Sequence, residues 1–303
     1  MTAIFCKSLV KEYQVAGKVS RVLDVENLEI KEGSFFGILG QNGAGKSTLI
    51  NIITSLVSPT SGCVEIFGKN IASNVEFAKT SIGTAVQDIK LDPFPLVWEA
   101  MEYQAGYYGI PKNKRKTDEL LHNLGLYEHR NKKARMLSGG MQRRLIIAKA
   151  LVHDPKIIIL DEPTAGVDIE LRTSMWNFVR DLHKKGKTVI ITTHYLEEVQ
   201  ELCTEIAFIK GGKIILQDKK TNVLSILDKK TIVIKTPSQV QNFTCEGVEA
   251  VSYDGDFLKV NFAPSKISAI ALLEKLKANG VDIQDITIKD AHLDEIFSYI
   301  INR

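Results

Sequence analysis

Several features that mark well-known protein classes are scarce in this sequence. Its four cysteines, Cys6, Cys63, Cys203 and Cys245, are scattered without a C-x-x-C pair or any metal-like spacing. That pattern argues against a disulfide framework and favours reduced thiols in a cytosolic compartment. No stretch approaches the roughly 18 consecutive apolar residues of a membrane-spanning helix. The opening MTAIFCKSLV has no basic segment leading into an apolar one, so the chain is expected neither to be exported nor to cross a bilayer. Charge of one sign is also scarce: the formal net charge is +3 over 303 residues. This is too mild to make nucleic acid or an acidic membrane the main partner. Internal repeats and low-complexity tracts are absent from the sequence.

What is present is a globular composition, 44% hydrophobic and 25% charged, long enough for one large domain or two smaller ones. The apolar run Phe35-Phe36-Gly37-Ile38-Leu39 leads into Gly40-Gln41-Asn42-Gly43-Ala44-Gly45-Lys46-Ser47-Thr48. The spacing G-x-x-x-x-G-K-S lets a backbone curl around an anion with its N–H groups pointing inward. Ser47 to Val57 then carry apolar residues at near-helical spacing, which adds the partial positive charge of a helix N-terminus. In such a loop Lys46 reaches terminal phosphates and Ser47 a magnesium ion.

A second apolar run, Lys156 to Leu160, ends in Asp161-Glu162-Pro163. Continuous apolar strands belong to parallel sheets buried on both faces, and open α/β sheets place ligands at the strands' carboxyl ends. Asp161 is therefore a candidate magnesium ligand, and Glu162 a candidate to accept a proton from an attacking water. Leu137-Ser138-Gly139-Gly140-Met141 precedes a run of good helix formers and offers Ser138, Gly139 and Gly140 as another anion cradle. Two cradles and one base fit a composite site in which the second cradle closes over nucleotide held by another copy.

The ordered set GQNGAGKST, Gln87, LSGGM, IIILDEP, Asp168 and His194 resembles the ATP-binding cassette ATPases, the nucleotide-binding subunits of ABC transporters. The resemblance spans roughly residues 1 to 220. It implies an α/β P-loop NTPase of ABC ATPase type over 1–220, with a helical subdomain near 88–140, and the residue pattern beyond it reads as a small C-terminal α/β unit over 221–303. It implies ATP and Mg2+, with Tyr13 stacking on adenine. Gln87 would join the metal and water to the transporter interface, His194 would contact the terminal phosphate, and Asp168 would communicate across a head-to-tail homodimer. The implied partner is an integral membrane permease on a separate chain, with no nucleic acid expected. The implied location is the cytoplasmic face of the bacterial inner membrane, reached through that permease. Met141 departs from the glutamine often found after LSGG, and Gly166-Val167 from the usual residues before Asp168, but neither removes a catalytic group. The wording RMLSGGMQRRLIIAKAL, EPTAGVDIELR and THYLEEVQELC is most similar to bacterial ABC-2-type exporter ATPases of the YadG type. An importer ATPase, or a soluble cassette acting on ribosomes or nucleic acid, are the alternatives.

Between Gln87 and Ser138, Val97 to Tyr108 and Lys116 to Leu126 read as helices, interrupted by Pro93, Pro95 and Pro111. Trp98, Met101, Tyr103, Tyr107 and Tyr108 suit either the core of a subdomain or a groove for a partner helix. The basic stretches Lys112 to Lys116 and Arg130 to Lys133 suit a solvated surface or anionic lipid. After the Gly211-Gly212 turn a boundary is expected near 218–221. Beyond it lie alternating strands at Thr231–Lys235 and Phe257–Phe262, a helix within Ser265–Ala278, a strand at Ile283–Ile288 and a last helix near His292–Ile301. That module carries no catalytic set, and regulation, dimer support and structural extension are all open to it.

Overall fold

Two long strands, β1 (Thr2–Val15) and β2 (Lys18–Lys31), form an antiparallel hairpin, with Leu9 opposite Val25 and Cys6 opposite Leu28. Leu23, Val25, Leu28 and Ile30 turn inward and are fully buried, while the intervening charged residues stay at the surface. The computed structural model describes residues 1–15, 17–86, 91–164, 169–193, 195–237, 243–291 and 293–302. These group into two units, Met1–Lys219 and Lys220–Arg303.

In the first unit the hairpin leads to β3 (Phe35–Leu39), buried along its whole length, and then to α1 (Lys46–Ile53). The helix is shorter than the apolar spacing to Val57 suggests. Thr54 turns its hydroxyl back to the Ile50 carbonyl at 2.9 Å, Ser55 takes a φ of 60°, and Leu56 is left 65% exposed. The strands β4 (Ser61–Ile66) and β5 (Lys69–Asn70) complete a four-stranded sheet in the order β2-β1-β4-β5.

The helix α2 (Val75–Ser81) feeds β6 (Ile82–Ala85). A helical stretch follows, with α3 (Val97–Tyr107), α4 (Thr117–Asn123) and α5 (Gly139–Leu151). Glu102 of α3 fastens the stretch by accepting from the Thr117 hydroxyl and from the Arg115 guanidinium, the latter at 2.6 Å. The aromatic cluster divides. Met101 is core and Tyr108 stacks on His153 with ring centres 3.8 Å apart, whereas Trp98, Tyr103 and Tyr107 are exposed.

Then come β7 (Ile157–Asp161), α6 (Ile169–Lys184), β8 (Thr188–Thr193), α7 (Leu196–Leu202), β9 (Glu205–Lys210) and β10 (Lys213–Lys219). They join β3 and β6 in a six-stranded sheet of order β10-β9-β3-β8-β7-β6. All neighbours are parallel except the β9–β10 hairpin. Strands β3, β7 and β8 are buried throughout, as expected of central parallel strands covered on both faces. Each fully buried Ile or Phe here contributes roughly 1.5–3 kcal/mol relative to exposure.

The second unit opens with α8 (Lys220–Leu224) and β11 (Lys230–Lys235). It continues through β12 (Val248–Asp254), β13 (Phe257–Phe262), α9 (Ala269–Ala278), β14 (Asp285–Asp290) and α10 (Leu293–Asn302). Its sheet runs β12-β13-β11-β14, antiparallel throughout. Ile232, Ile234, Leu258, Val260 and Phe262 meet Leu272 and Leu276 of α9 in a separate core. The Ser268 hydroxyl caps α9 by accepting from the Ala271 N–H at 3.2 Å. Strand β14 begins two residues later than the apolar pattern from Ile283 suggests, because its register pairs Ile286 with Ile234 and Ile288 with Ile232.

Candidate functional site

The turn after β3 is shaped by crowding as much as by flexibility. A Cβ at Gly40 would lie 2.5 Å from the Ile209 carbonyl oxygen, so only glycine lets the loop start against β9. Gly45 takes a φ of 107°, a region that side chains disfavour, and its carbonyl accepts from the Leu49 N–H at 2.9 Å. Lys46 is buried, with its ammonium donating to the carbonyls of Gly40 at 2.8 Å and Gln41 at 3.1 Å. Burial lowers its pKa, against the opposing pull of Glu162 and Asp161. Ser47 and the tips Gln41, Asn42 and Gly43 are exposed, Ala44 is tucked inside and Thr48 is half-buried.

The two carboxylates lie together at the carboxyl end of β7. Asp161 is the last residue of β7, 5% exposed, and its Oδ1 accepts from the Thr192 hydroxyl of β8. Glu162 follows with a φ of 50°, a left-handed backbone that costs a side-chain-bearing residue about 1–3 kcal/mol. Its N–H donates to the Thr192 carbonyl at 2.8 Å. A residue held in this way is over-determined by its surroundings, as strained residues at functional sites commonly are.

At the start of α5, Ser138 is the N-cap, its hydroxyl accepting from the Met141 N–H at 3.3 Å. Gly139 and Gly140 form the first turn, leaving N–H groups with no partner inside the helix. Tyr13 stands on β1, 38% exposed, with the Lys11 ammonium 4.9 Å from its ring centre. Gln87, Asp168 and His194 lie outside the described residues.

The structure therefore brings Lys46, Asp161 and Glu162 within electrostatic reach of one another. It also gathers groups that sequence reasoning overlooked. Arg143 of α5 donates to the carbonyls of Val86 at 3.2 Å, Glu162 at 3.0 Å and Asp161. Glu198 of α7, fully buried, accepts from the Thr164 hydroxyl and, at 3.4 Å, from the Trp176 indole N–H. The available signals were weak. Arg143 is one of two adjacent arginines following the Ser-Gly-Gly turn, and Glu198 is one of two adjacent acids in Leu-Glu-Glu-Val.

Comparison with known proteins matches residues 23–165 to the family described as ABC transporter. The chain is 32% identical over 287 residues to the linearmycin resistance ATP-binding protein LnrL of Bacillus subtilis, covering 91% of this chain and 92% of that protein. It is 31% identical to the Nod factor export ATP-binding protein I of Ralstonia nicotianae, over 86% of this chain and 74% of the relative. Among solved structures, a dimeric post-hydrolysis state of an ATP-binding cassette bound to ADP and Pi superposes with a TM-score of 0.66. It shares 29% identity and covers 71% of this chain and 98% of its own.

Proposed function

The chain belongs to the ABC transporter family as an ATP-hydrolysing subunit, and from that premise we propose that it drives export through a separate membrane permease. The observation that carries this reading is the convergence of the phosphate-loop lysine with two carboxylates at the carboxyl end of β7. Lys46 feels both Glu162 and Asp161, in a loop that has no room for a side chain at Gly40. In the proposed mechanism the loop N–H groups and the α1 N-terminus receive the phosphate chain. Lys46 neutralises its terminal charge, and Glu162 takes the proton of the water that attacks the γ-phosphorus. Tyr13, exposed on β1, stacks on the adenine, and His194 contacts the γ-phosphate.

Ser47 and Asp161 offer one hydroxyl and one carboxylate oxygen, the hard donors that Mg2+ uses beside phosphate oxygens and water, and Gln87 is the third proposed ligand. The ion, when bound, neutralises charge on the β- and γ-phosphate oxygens. A second copy arranged head to tail supplies Ser138, Gly139 and Gly140 to close the site, with Asp168 near the junction. The dimeric cassette with ADP and Pi supports that arrangement. Differential affinity of the closed pair for ATP over ADP then provides the switch. The relatives named for resistance and export support the direction of transport. The motif wording supports an ABC-2-type permease and the YadG-type subgroup. Among the described residues no helix is long and apolar enough to cross a membrane, so the proposed route to the bilayer is through the permease.

The test is a mild-detergent pull-down of tagged Glu162→Gln protein with ATP from native membranes. Co-purification of an integral membrane subunit is the expected outcome. Recovery of ribosomal or DNA-associated proteins, with ATP binding intact and no membrane subunit, would replace the exporter reading with a soluble cassette.

A further inference from the structure

One guanidinium binds three backbone carbonyls from two different strand ends. Arg143 reaches Val86, the residue after β6 and before Gln87, and also reaches Asp161 at the end of β7 and Glu162 just after it. The side chain is half-buried, and its Nε, fully enclosed, has no hydrogen-bond partner. Arginine fits this task because its donors form a rigid planar fork, which a lysine cannot imitate. The peptide groups of Glu162 are thereby gripped from both sides: its N–H by the Thr192 carbonyl at 2.8 Å, its C=O by Arg143 at 3.0 Å. Between those grips the backbone holds its left-handed φ of 50°, which sets the direction of the Glu162 side chain. The helix that carries Arg143 begins at the Ser138-Gly139-Gly140 turn.

We propose that Arg143 is a positioning residue: it fixes the strained backbone of Glu162 so that the carboxylate is aimed as a base, and it links that aim to helix α5. This rests on the reading of Glu162 as the general base. Removing the fork frees the Glu162 carbonyl, the backbone relaxes from the left-handed region, and the carboxylate moves while the phosphate loop is untouched. Binding of ATP and its hydrolysis should then separate.

The experiment measures kcat, KM, nucleotide Kd and thermal stability for Arg143→Met and Arg143→Lys. Single-turnover rates of Arg143→Met are compared in the wild-type and Glu162→Gln backgrounds. General-base catalysis is worth roughly 10²–10⁴-fold and a small displacement forfeits part of it, so kcat should fall about tenfold to a hundredfold in Arg143→Met. KM and Kd should hold within about threefold, and Arg143→Lys should recover part of the rate. In the Glu162→Gln background Arg143→Met should cost nothing more, because residues acting as a unit are not additive. The proposal is overturned if kcat stays within about twofold of wild type, if Kd weakens in step with kcat, or if the loss is equal in both backgrounds. Should Arg143→Met fail to fold, Arg143→Lys decides: a slower kcat at unchanged Kd and stability supports the proposal, and an unchanged kcat overturns it. Normal turnover of Glu162→Gln alone would instead remove the base assignment.

Discussion

The six-stranded sheet of residues 1–219 and the four-stranded sheet of residues 220–303 are built on different terms. Strands of the first end in buried polar groups: Asp161, Thr192 and Thr193, with Glu162 and Thr164 just beyond. The buried faces of the second are Ile232, Ile234, Leu258, Val260 and Phe262, with α9 adding Leu272 and Leu276. Burying a polar group costs about 1–3 kcal/mol unless it is bonded. The first sheet meets that cost through bonds such as Thr192 to Asp161 and Thr164 to Glu198. Among the described residues the five non-glycines with positive φ, Ser8, Ser55, Phe67, Asp154 and Glu162, all belong to the first unit. A sheet that serves chemistry keeps polar and strained residues that packing alone would not select, whereas the second unit carries few of these marks.

The contrast is sharpest in rate. Glu162→Gln should lower steady-state phosphate release by about 10²–10⁴-fold while nucleotide binding persists; undiminished release would mean that the strained position is not the base. In the second unit Leu276→Ala should cost about 2–5 kcal/mol by opening a cavity, seen as faster hydrogen exchange across 230–290. ATP turnover by the same protein should be unchanged, and a parallel fall in turnover would break the division of labour. Gly40→Ala tests crowding rather than chemistry. The new methyl would meet the Ile209 carbonyl at 2.5 Å and its Cγ2 at 2.7 Å, so about 1–3 kcal/mol of stability should be lost. Weaker ATP binding should accompany that loss, and isothermal titration beside thermal unfolding would measure both.

The elements that carry the site were the most legible. Strands β3, β7 and β8 are covered on both faces and so appear as unbroken apolar runs, and the glycine spacing at Gly40 to Gly45 reflects a steric requirement that the structure shares. Edge elements were less so. Strand β12 has only two half-buried residues, Val248 and Val251, and leaves no alternation to find, while β14 is exposed throughout and its register comes from β11. The end of α1 at Ile53 is set by the Thr54 hydroxyl and the left-handed Ser55, against an apolar spacing that continues. Arg143 was illegible for another reason: a long side chain ends where the tertiary structure leaves carbonyls free, and nothing in the Gln-Arg-Arg wording names those carbonyls.

The smallest predicted effect is a pH slope that the first unit should show on account of His153, two residues past α5. Its ring stacks on Tyr108, and Nε2 donates to the Ile82 carbonyl at 3.0 Å, leaving Nδ1 buried without a partner. Burial lowers its pKa below the ordinary 6.5, against weaker opposing pulls from the Ile82 bond and Asp154. A proton on Nδ1 would add a buried charge and a donor with nothing to receive it. Above pH 6.5 the ring is neutral in both folded and unfolded chains and costs nothing. As the pH falls below 6.5 the unfolded chain takes up a proton that the folded one refuses, until the lower folded pKa is reached. Stability contributed here is thus present above the unfolded value and declines toward acid, by at most about 1.4 kcal/mol per pH unit in that window. His153→Phe keeps an aromatic face for Tyr108 and leaves the Ile82 carbonyl unbonded, so it should be about 0.5–1.5 kcal/mol less stable at pH 8. It should nevertheless lose less stability than the wild type between pH 6.5 and 5. Urea midpoints for the two proteins across that range decide the matter. Parallel slopes would mean that His153 admits a proton as readily folded as unfolded, and the polar burial that distinguishes the first unit would have one fewer example.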